Sequence, residues 1–152
     1  NNGALVYGGS DLTVVRGDFN ALLAATASGP LHDAVTQALA YDEAARTCYP
    51  GFFASRINYD VVQGLNASGQ WCSGVLEQSW RIGGASPAEI AALEAFQTDE
   101  QLHSIRVSSH EVHRHITCPP HARVHFRGVD PDTGPITKYS TIDAYEYSTS
   151  PA

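Results

Sequence analysis

The sequence of 152 residues contains no methionine and only one lysine, Lys138. Charged residues make up 16% of it, below the roughly 25% of an average soluble domain. Nine basic residues against 16 acidic ones give a formal charge of −7, which argues against a nucleic-acid-binding protein because such a protein needs a basic face. A chain that opens on Asn1 without an initiator methionine is predicted to be processed or to be part of a longer protein.

Long hydrophobic runs and dense cysteine patterns are also missing. No apolar stretch approaches the roughly 18–20 residues of a membrane-spanning helix, and the start of the chain lacks the basic-then-apolar pattern of a signal peptide. The cysteines Cys48, Cys72 and Cys118 are widely spaced and odd in number, which is atypical of a disulfide framework. The sequence therefore predicts a cytoplasmic protein with reduced thiols and no membrane association.

The sequence does contain enough apolar residues for one core. They make up 43% of the chain, whose length is that of one ordinary domain. Short β-branched and apolar runs predict strands over residues 4–7 and 12–16, either as two strands or as one bent strand. Asp18 is predicted to cap a helix over residues 19–26, and a longer helix is predicted over residues 31–48.

The rest of the chain mixes strands with one further helix. Residues 56–64 and 71–77 predict a β-hairpin. The run Ser86-Pro87-Ala88-Glu89 has the pattern of a helix start with Ser86 as N-cap. This helix is expected to present Ile90, Leu93 and Phe96 to a core. Further strands are predicted over residues 104–112, 123–126 and 136–142. Because a strict β-α-β alternation is missing, the predicted fold class is α+β, with a mainly antiparallel sheet and packed helices.

The strongest candidate site lies on the predicted hairpin, where Asp60 is on the first strand and Glu77 ends the second. A two-residue turn at Ser68-Gly69 places the two carboxylates directly opposite each other, whereas a four-residue loop over residues 66–69 places them diagonally on one face. Two carboxylates on one face repel unless a cation lies between them. Oxygen ligands of this kind suit Mg²⁺, whose coordination is completed by water and by the phosphates of a substrate.

The residues after the hairpin suggest an anion pocket. Arg81 and Gly83-Gly84 lead to Ser86, where the N–H groups and the positive end of a helix favour phosphate. Metal-binding carboxylates next to an anion pocket describe a site for the phosphates of a nucleotide. In the structural alternative, Glu77 pairs with Arg81 or Arg56 and the glycines only form a tight turn.

Two other groups of residues are given weaker interpretations. Zn²⁺ accepts histidine and cysteine, but the spacing of a histidine-rich cluster matches no standard zinc motif, so scattered surface histidines are the favoured interpretation. This cluster consists of His110, His113, His115, Cys118 and His121. Trp71 and Trp80 flank the hairpin site, and packing is favoured for both over stacking on a base.

Two sequence segments of the predicted hairpin are similar to those of a known superfamily. The segments are Arg56-Ile57-Asn58-Tyr59-Asp60-Val61 and Glu77-Gln78-Ser79-Trp80-Arg81. They resemble the C-terminal lobe of ATP-grasp ligases, in which an Asp on one strand and a Glu-x-Asn on the next hold the Mg²⁺ ions that bridge the phosphates of ATP.

The whole chain is similar to the C-terminal half of an uncharacterised bacterial family related to ATP-grasp enzymes. The strings that carry this resemblance are Tyr7-Gly8-Gly9-Ser10-Asp11-Leu12, Leu76-Glu77-Gln78-Ser79-Trp80-Arg81-Ile82-Gly83-Gly84-Ala85-Ser86 and Phe126-Arg127-Gly128-Val129-Asp130-Pro131.

The resemblance implies a role for each matching residue. Asp60, Glu77 and Ser79 would bind metal, although Ser79 stands where the superfamily usually has Asn. Arg81 would be catalytic, as the contact to a phosphate or acyl phosphate. The loop residues Gly83, Gly84 and Ser86 would bind ATP.

An arginine is common two residues before the superfamily's Asp, but Asn58 stands there in this chain. Arg56, four residues before Asp60, shares its face on an extended strand and would take that catalytic place.

The implied function is ATP-dependent ligation, in which ATP phosphorylates a small-molecule carboxylate and an amine or similar nucleophile attacks the acyl phosphate. The superfamily's phosphate-binding lysines and Gly-rich loop would lie in an N-terminal half that precedes Asn1. Residues 1–152 are therefore expected to be one C-terminal lobe that is inactive alone. A non-catalytic binding or scaffold domain that retains the fold is the alternative.

Overall fold

A computed structural model of the protein describes residues 6–147, which contain three helices and six strands. In chain order the elements are β1 (Gly9–Val15), α1 (Phe19–Ala25), α2 (Pro30–Cys48), β2 (Asn58–Leu65), β3 (Trp71–Ser79), α3 (Ser86–Thr98), β4 (Leu102–Val112), β5 (Arg123–Asp130) and β6 (Gly134–Tyr147). All strand pairs are antiparallel, so the predicted α+β class with mainly antiparallel sheets is confirmed for the described residues.

The chain folds as two compact units. The sheet unit consists of Asn1–Arg16 and Gly83–Ala152, and the hairpin unit consists of Gly17–Ile82. Along the chain, the hairpin unit is therefore inserted between β1 and α3 of the sheet unit. Among the described helices of both units, none is long and apolar enough to span a membrane.

The sheet unit is a four-stranded sheet of order β1-β4-β6-β5 with α3 packed on one face. Its core joins Ala88, Ala92 and Phe96 of α3 to Ile105 and Val107 of β4. The core residues are four positions apart along α3 and two positions apart along β4. These spacings place them on one side of the helix and on one face of the strand. The expected core positions Ile90 and Leu93 are 48% and 58% exposed, so only Phe96 of that prediction is confirmed.

Arg16, directly after β1, fastens the C-terminal end of α3. Its guanidinium donates to the carbonyls of Phe96 (2.7 Å), Asp99 (2.9 Å) and Leu102 (3.0 Å) and lies over the Phe96 ring, 4.8 Å from its centroid. A cation at the carbonyl end of a helix satisfies groups that have no partner within the helix and interacts favourably with its dipole. This one side chain therefore joins β1, α3 and the start of β4.

In the hairpin unit, β2 and β3 form a two-stranded sheet, and α2 covers one face of it. Asp18 caps α1 as predicted, because its carboxylate accepts from the N–H groups of Asn20 and Ala21 (3.0 and 3.1 Å). The helices and both hairpin strands lie within two residues of the predicted bounds. The predicted strand over residues 4–7 is not formed at Val6 and Tyr7, and residues 4 and 5 lie outside the described range.

The contact between α2 and the hairpin is built around the buried carboxylate of Asp42, which is 6% exposed. It accepts from Arg46 Nε at 2.7 Å and from the Tyr59 hydroxyl at 2.8 Å. Burial alone would raise the pKa of Asp42, but the hydrogen bonds from Arg46 and Tyr59 and the Arg46 charge outweigh it and lower that pKa. Burial, followed by the bond to Asp42, raises the pKa of Tyr59 to about 12, so Tyr59 remains a donor at neutral pH.

Removing this carboxylate is expected to destabilise the hairpin unit. Asp42→Ala should lower the free energy of unfolding by about 1–3 kcal/mol, because the half-buried Tyr59 hydroxyl loses its acceptor. Urea denaturation followed by tryptophan fluorescence measures this, since Trp71 and Trp80 both lie in the hairpin unit. Glu43→Ala, at an exposed site on the same helix, is the matched control and should change little.

The contribution of Asp42 should also depend on pH. Its folded-state pKa is lowered, so the contribution is present above about pH 4, the range of an unfolded Asp, and is lost as the pH falls through the lowered pKa. Asp42→Asn should therefore flatten the acid limb of the stability curve. An unchanged acid limb would contradict this role of Asp42.

Candidate functional site

The hairpin turn is a five-residue loop, because Leu65 pairs with Trp71. Asn66 organises this loop: its N–H donates to the Gln70 carbonyl (2.9 Å), and its Oδ1 accepts from the Gln70 N–H (2.9 Å). Gly69 has a φ of +77°, which a residue with a Cβ adopts only with strain. Both predicted turn lengths, two and four residues, are therefore wrong.

Asp60 and Glu77 are nevertheless directly opposed, because β3 contains a β-bulge. Moving away from the turn, the strands pair regularly as far as Val61 with Val75, and the next pair is Asp60 with Glu77. Leu76 is the extra residue and is 72% exposed. Directly opposed residues share a face of the hairpin. The structure thus brings the two carboxylates together as the first alternative predicts, through a bulge instead of a two-residue turn.

The shared face of Asp60 and Glu77 is the one turned away from α2. Their neighbours Tyr59 and Gln78 reach α2, since Tyr59 donates to Asp42 (2.8 Å) and the Tyr41 hydroxyl donates to Gln78 Oε1 (3.1 Å). Side chains alternate along a strand, so Asp60 and Glu77 point outward, and both are exposed. Without the bulge, Glu77 would share the face of Val75 and point at α2.

Two further oxygen-bearing side chains belong to this outward face. Asn58 pairs with Ser79 across the strands, one step of the alternation away from the Asp60–Glu77 pair. The Asn58 amide donates to Asp60 Oδ1 at 2.8 Å. No hydrogen bond or ion pair joins the Glu77 carboxylate to another residue in the described range. We name Asn58, Asp60, Glu77 and Ser79 the carboxylate face.

The two candidate arginines contact backbone beyond this face. Arg56 Nη1 donates to the Arg81 carbonyl at 2.7 Å, and Arg81 Nη1 donates to the Ile82 carbonyl at 3.1 Å. In the structural alternative, Glu77 pairs with Arg81 or Arg56, and neither ion pair is formed within residues 6–147.

The candidate ATP-binding residues Gly83, Gly84 and Ser86 belong to the sheet unit, whereas the carboxylate face belongs to the hairpin unit. The prediction that Ser86 caps α3 is wrong: the N-cap is Ala85, and no side chain caps the helix. Ser86 is 3% exposed, and its hydroxyl instead accepts from the Gly83 N–H (3.0 Å). The Ser86 N–H in turn donates to the Gly83 carbonyl (3.1 Å), so the two residues close the loop on itself.

Gly84 has a packing reason to be glycine. A Cβ at this position would come within 2.5 Å of the Tyr7 ring, which lies against it. Gly84, a candidate ATP-binding residue, therefore also allows Tyr7 to approach the loop.

A cleft in the sheet unit brings together residues that are far apart in the sequence. It has a volume of about 250 Å³ and is lined by Gly83, Gly84, Lys138, His110 and His125, among others. Lys138, the single lysine, is distant from the glycines along the chain, and only the folding of the sheet unit brings it to their cleft. The lysine is 2.8 Å from Glu111 Oε2. Burial, then the Arg123 charge, lowers the pKa of His125, which keeps its imidazole neutral at pH 7.

The histidine-rich cluster is dispersed by the fold. The ring of His110 stacks on Tyr139 with centroids 4.5 Å apart, His113 Nε2 lies 3.5 Å from Glu111 Oε1, and His121 lines a different cleft of the sheet unit. Residues 6–147 contain no group of three His, Cys, Asp or Glu side chains that could hold a metal ion.

Opposed, exposed carboxylates predict a measurable repulsion. In EDTA, Glu77→Gln should raise the stability of the hairpin unit by about 0.2–1 kcal/mol, because like charges directly opposite each other on two strands destabilise the pair. Urea denaturation at low salt measures the difference, and added salt should reduce it. Glu43→Gln removes an exposed charge from α2 instead. An equal gain in the stability of Glu43→Gln would show that the stabilisation comes from lowering the overall charge of −7 and not from relieving the repulsion between Asp60 and Glu77.

Comparison with known proteins gives the chain a family but no activity. No curated protein and no solved structure matches the sequence. One family model matches residues 1–140, and its description is "Protein of unknown function (DUF3182)". Because this match covers most of the sequence, the chain belongs to the DUF3182 family of proteins of unknown function.

Proposed function

We propose that this chain supplies the Mg²⁺-binding face of an ATP-dependent ligase that activates a carboxylate as an acyl phosphate. The observation that carries the proposal is the direct opposition of Asp60 and Glu77 on the exposed face of the hairpin. A bulge in β3 is needed to produce that opposition, and an isolated pair of like charges costs stability. A cation between the two carboxylates removes this cost.

The donor set suits Mg²⁺ that arrives with phosphate. Carboxylate and amide oxygens are hard ligands, and Mg²⁺ in phosphate-transfer sites keeps several waters and takes few protein ligands. The carboxylate face offers two carboxylates, and no third acidic or histidine ligand accompanies them among the described residues. Both are exposed, which leaves room for water and for the phosphates of ATP. When bound, Mg²⁺ would neutralise phosphate charge.

Asn58 compensates for the serine at position 79. ATP-grasp enzymes usually carry the amide ligand two residues after their Glu, where this chain has Ser79. Here the amide is directly across the hairpin, because Asn58 pairs with Ser79. Its NH₂ group donates to Asp60, so its carbonyl oxygen remains as an acceptor or metal ligand. The proposed metal ligands are therefore Asp60, Glu77 and Ser79, with Asn58 added.

The reaction is a phosphoryl transfer followed by an acyl transfer. A carboxylate oxygen of the small-molecule substrate attacks the γ-phosphorus of ATP and ADP leaves. An amine or similar nucleophile then attacks the acyl carbon and releases phosphate. Arg81 and Arg56 are the proposed cations for the acyl phosphate, and their bonds to neighbouring carbonyls hold them beside the hairpin.

Gly83, Gly84 and Ser86 are the proposed ATP-binding residues. The chain's single lysine is Lys138, so further phosphate-binding groups are assigned to the N-terminal half of the parent protein. A cytoplasmic location, as expected from reduced cysteines, would supply the ATP.

A non-catalytic binding or scaffold domain is the second candidate. The observation in its favour is that Arg81 donates to the carbonyl of its own neighbour, Ile82, and that no cation is paired with Glu77 among the described residues. A domain that had lost its chemistry would retain the hairpin without a functional requirement for the two carboxylates.

Nucleotide binding by the full-length protein distinguishes the two candidates. Calorimetric titration with ATP should show binding that requires Mg²⁺, and Glu77→Ala should weaken it by about tenfold or more, a loss of roughly 1.4 kcal/mol. Glu43→Ala should bind like the wild type. ATP binding that depends on neither Mg²⁺ nor Glu77, or no ATP binding at all, would refute the ligase proposal and favour the scaffold domain.

The role of the amide is tested separately. Asn58→Ala should weaken Mg²⁺-dependent ATP binding by about three- to tenfold, because one oxygen ligand and the hydrogen bond to Asp60 are lost. Ser79→Asn should restore binding in the Asn58→Ala background by returning an amide to the face. Failure of Ser79→Asn to rescue would show that the amide does not act as a ligand, and Asp60→Asn provides the reference for loss of a carboxylate.

A further inference from the structure

The hairpin unit contains a surface cleft on the α2 side of the hairpin. Its volume is about 680 Å³, within the range of roughly 300–1,000 Å³ typical of small-molecule sites. The C-terminal half of α2, the loop that follows it and the end of β3 form its walls. Small side chains, Ala44 and Ala45, contribute to the helix wall, and aromatic side chains dominate the rest. Its aromatic residues are Tyr41, Tyr49, Phe52 and Trp80.

Two of these rings pack against other aromatic side chains of the unit. Trp80 packs against Phe52, with ring centroids 4.3 Å apart and tilted by 50°, and its indole lies close enough to the Tyr59 hydroxyl to act on the pKa of that group. Tyr41 packs against the Tyr59 ring at 5.3 Å and donates its hydroxyl to Gln78 Oε1. Rings fixed in this way are preorganised, so ligand binding does not include the entropic cost of ordering them.

The electrostatic character of the cleft favours a positive ligand. No lysine, arginine, histidine or carboxylate is among the described residues that line it. The faces of aromatic rings carry the negative part of their quadrupole, and α2, a helix of 19 residues, ends at the cleft with its carbonyl end. Arg46, the cation of the last turn, is bonded to Asp42 and does not line the cleft.

From this combination we infer that the cleft binds a small organic cation, an alkylammonium or quaternary ammonium group, through cation–π contacts with its aromatic rings. Trp is the strongest and Tyr a good partner for such groups. Trp80 is 36% and Tyr49 is 66% exposed, so both rings present accessible surface. The site is on the face of the hairpin opposite the carboxylate face, and it does not depend on Mg²⁺ or ATP.

The test compares choline with 3,3-dimethylbutan-1-ol, its uncharged isostere of nearly the same shape. The Trp71→Leu variant leaves Trp80 as the sole tryptophan, and its fluorescence then reports binding at the cleft. Choline should bind saturably and at least about threefold more tightly than the neutral isostere, because only the charge differs. Equal affinity for the two would overturn the inference and leave a merely apolar pocket.

Variants of the rings complete the test, with isothermal titration calorimetry as the measurement. Trp80→Leu should weaken choline binding by about three- to thirtyfold, and Trp80→Phe, which keeps an aromatic face, should retain more of it. Because Trp80 also packs against Phe52, Tyr49→Leu tests the same point at a more exposed ring. Trp71→Leu is the matched control and should bind like the wild type. Undiminished binding in both folded leucine variants, Trp80→Leu and Tyr49→Leu, would refute the site.

Discussion

The hydrogen bond from the Tyr59 hydroxyl to the buried carboxylate of Asp42 determines what each face of the hairpin can do. It fixes Tyr59 toward α2, and strand alternation then turns Asp60 to solvent. On β3, the bulge at Leu76 shifts the alternation by one residue, so that Gln78 reaches α2 while Glu77 joins Asp60 on the outward face. The Tyr59 ring also packs against Tyr41, which lines the aromatic cleft, so both the carboxylate face and the aromatic cleft lie next to this buried polar contact.

Most of the hairpin unit could be predicted from local chemistry. Asp18 precedes a helix it can cap, and Asn66 and Gly69 mark the turn, so the bounds of these elements follow from nearby residues. The pairing register of β2 with β3 cannot be predicted from nearby residues in the same way. An exposed Leu76 has the apolar character of an inward residue, and only the contacts of its neighbours with α2 reveal that it is an extra residue in the strand.

The sheet unit shows a different limit of sequence reasoning. Ile90 and Leu93 are large apolar side chains of α3, yet both are exposed, and the buried stripe is made by Ala88, Ala92 and Phe96. The two alanines let the helix approach β4 closely. Lys138 reaches the glycine loop through pairing of strands that are far apart in sequence, which no local pattern encodes. Candidate ligands for phosphate and for metal consequently fall in separate units.

The insertion of the hairpin unit between β1 and α3 has a consequence for the order of folding. The hairpin unit is one contiguous segment whose contacts are comparatively local, so it can fold as soon as its own residues have been synthesised. β1 precedes the hairpin unit but pairs with β4, which follows both the hairpin unit and α3. During synthesis β1 therefore remains unpaired until β4 has been made, and pairing of the two strands bears the entropic cost of closing the long loop between them.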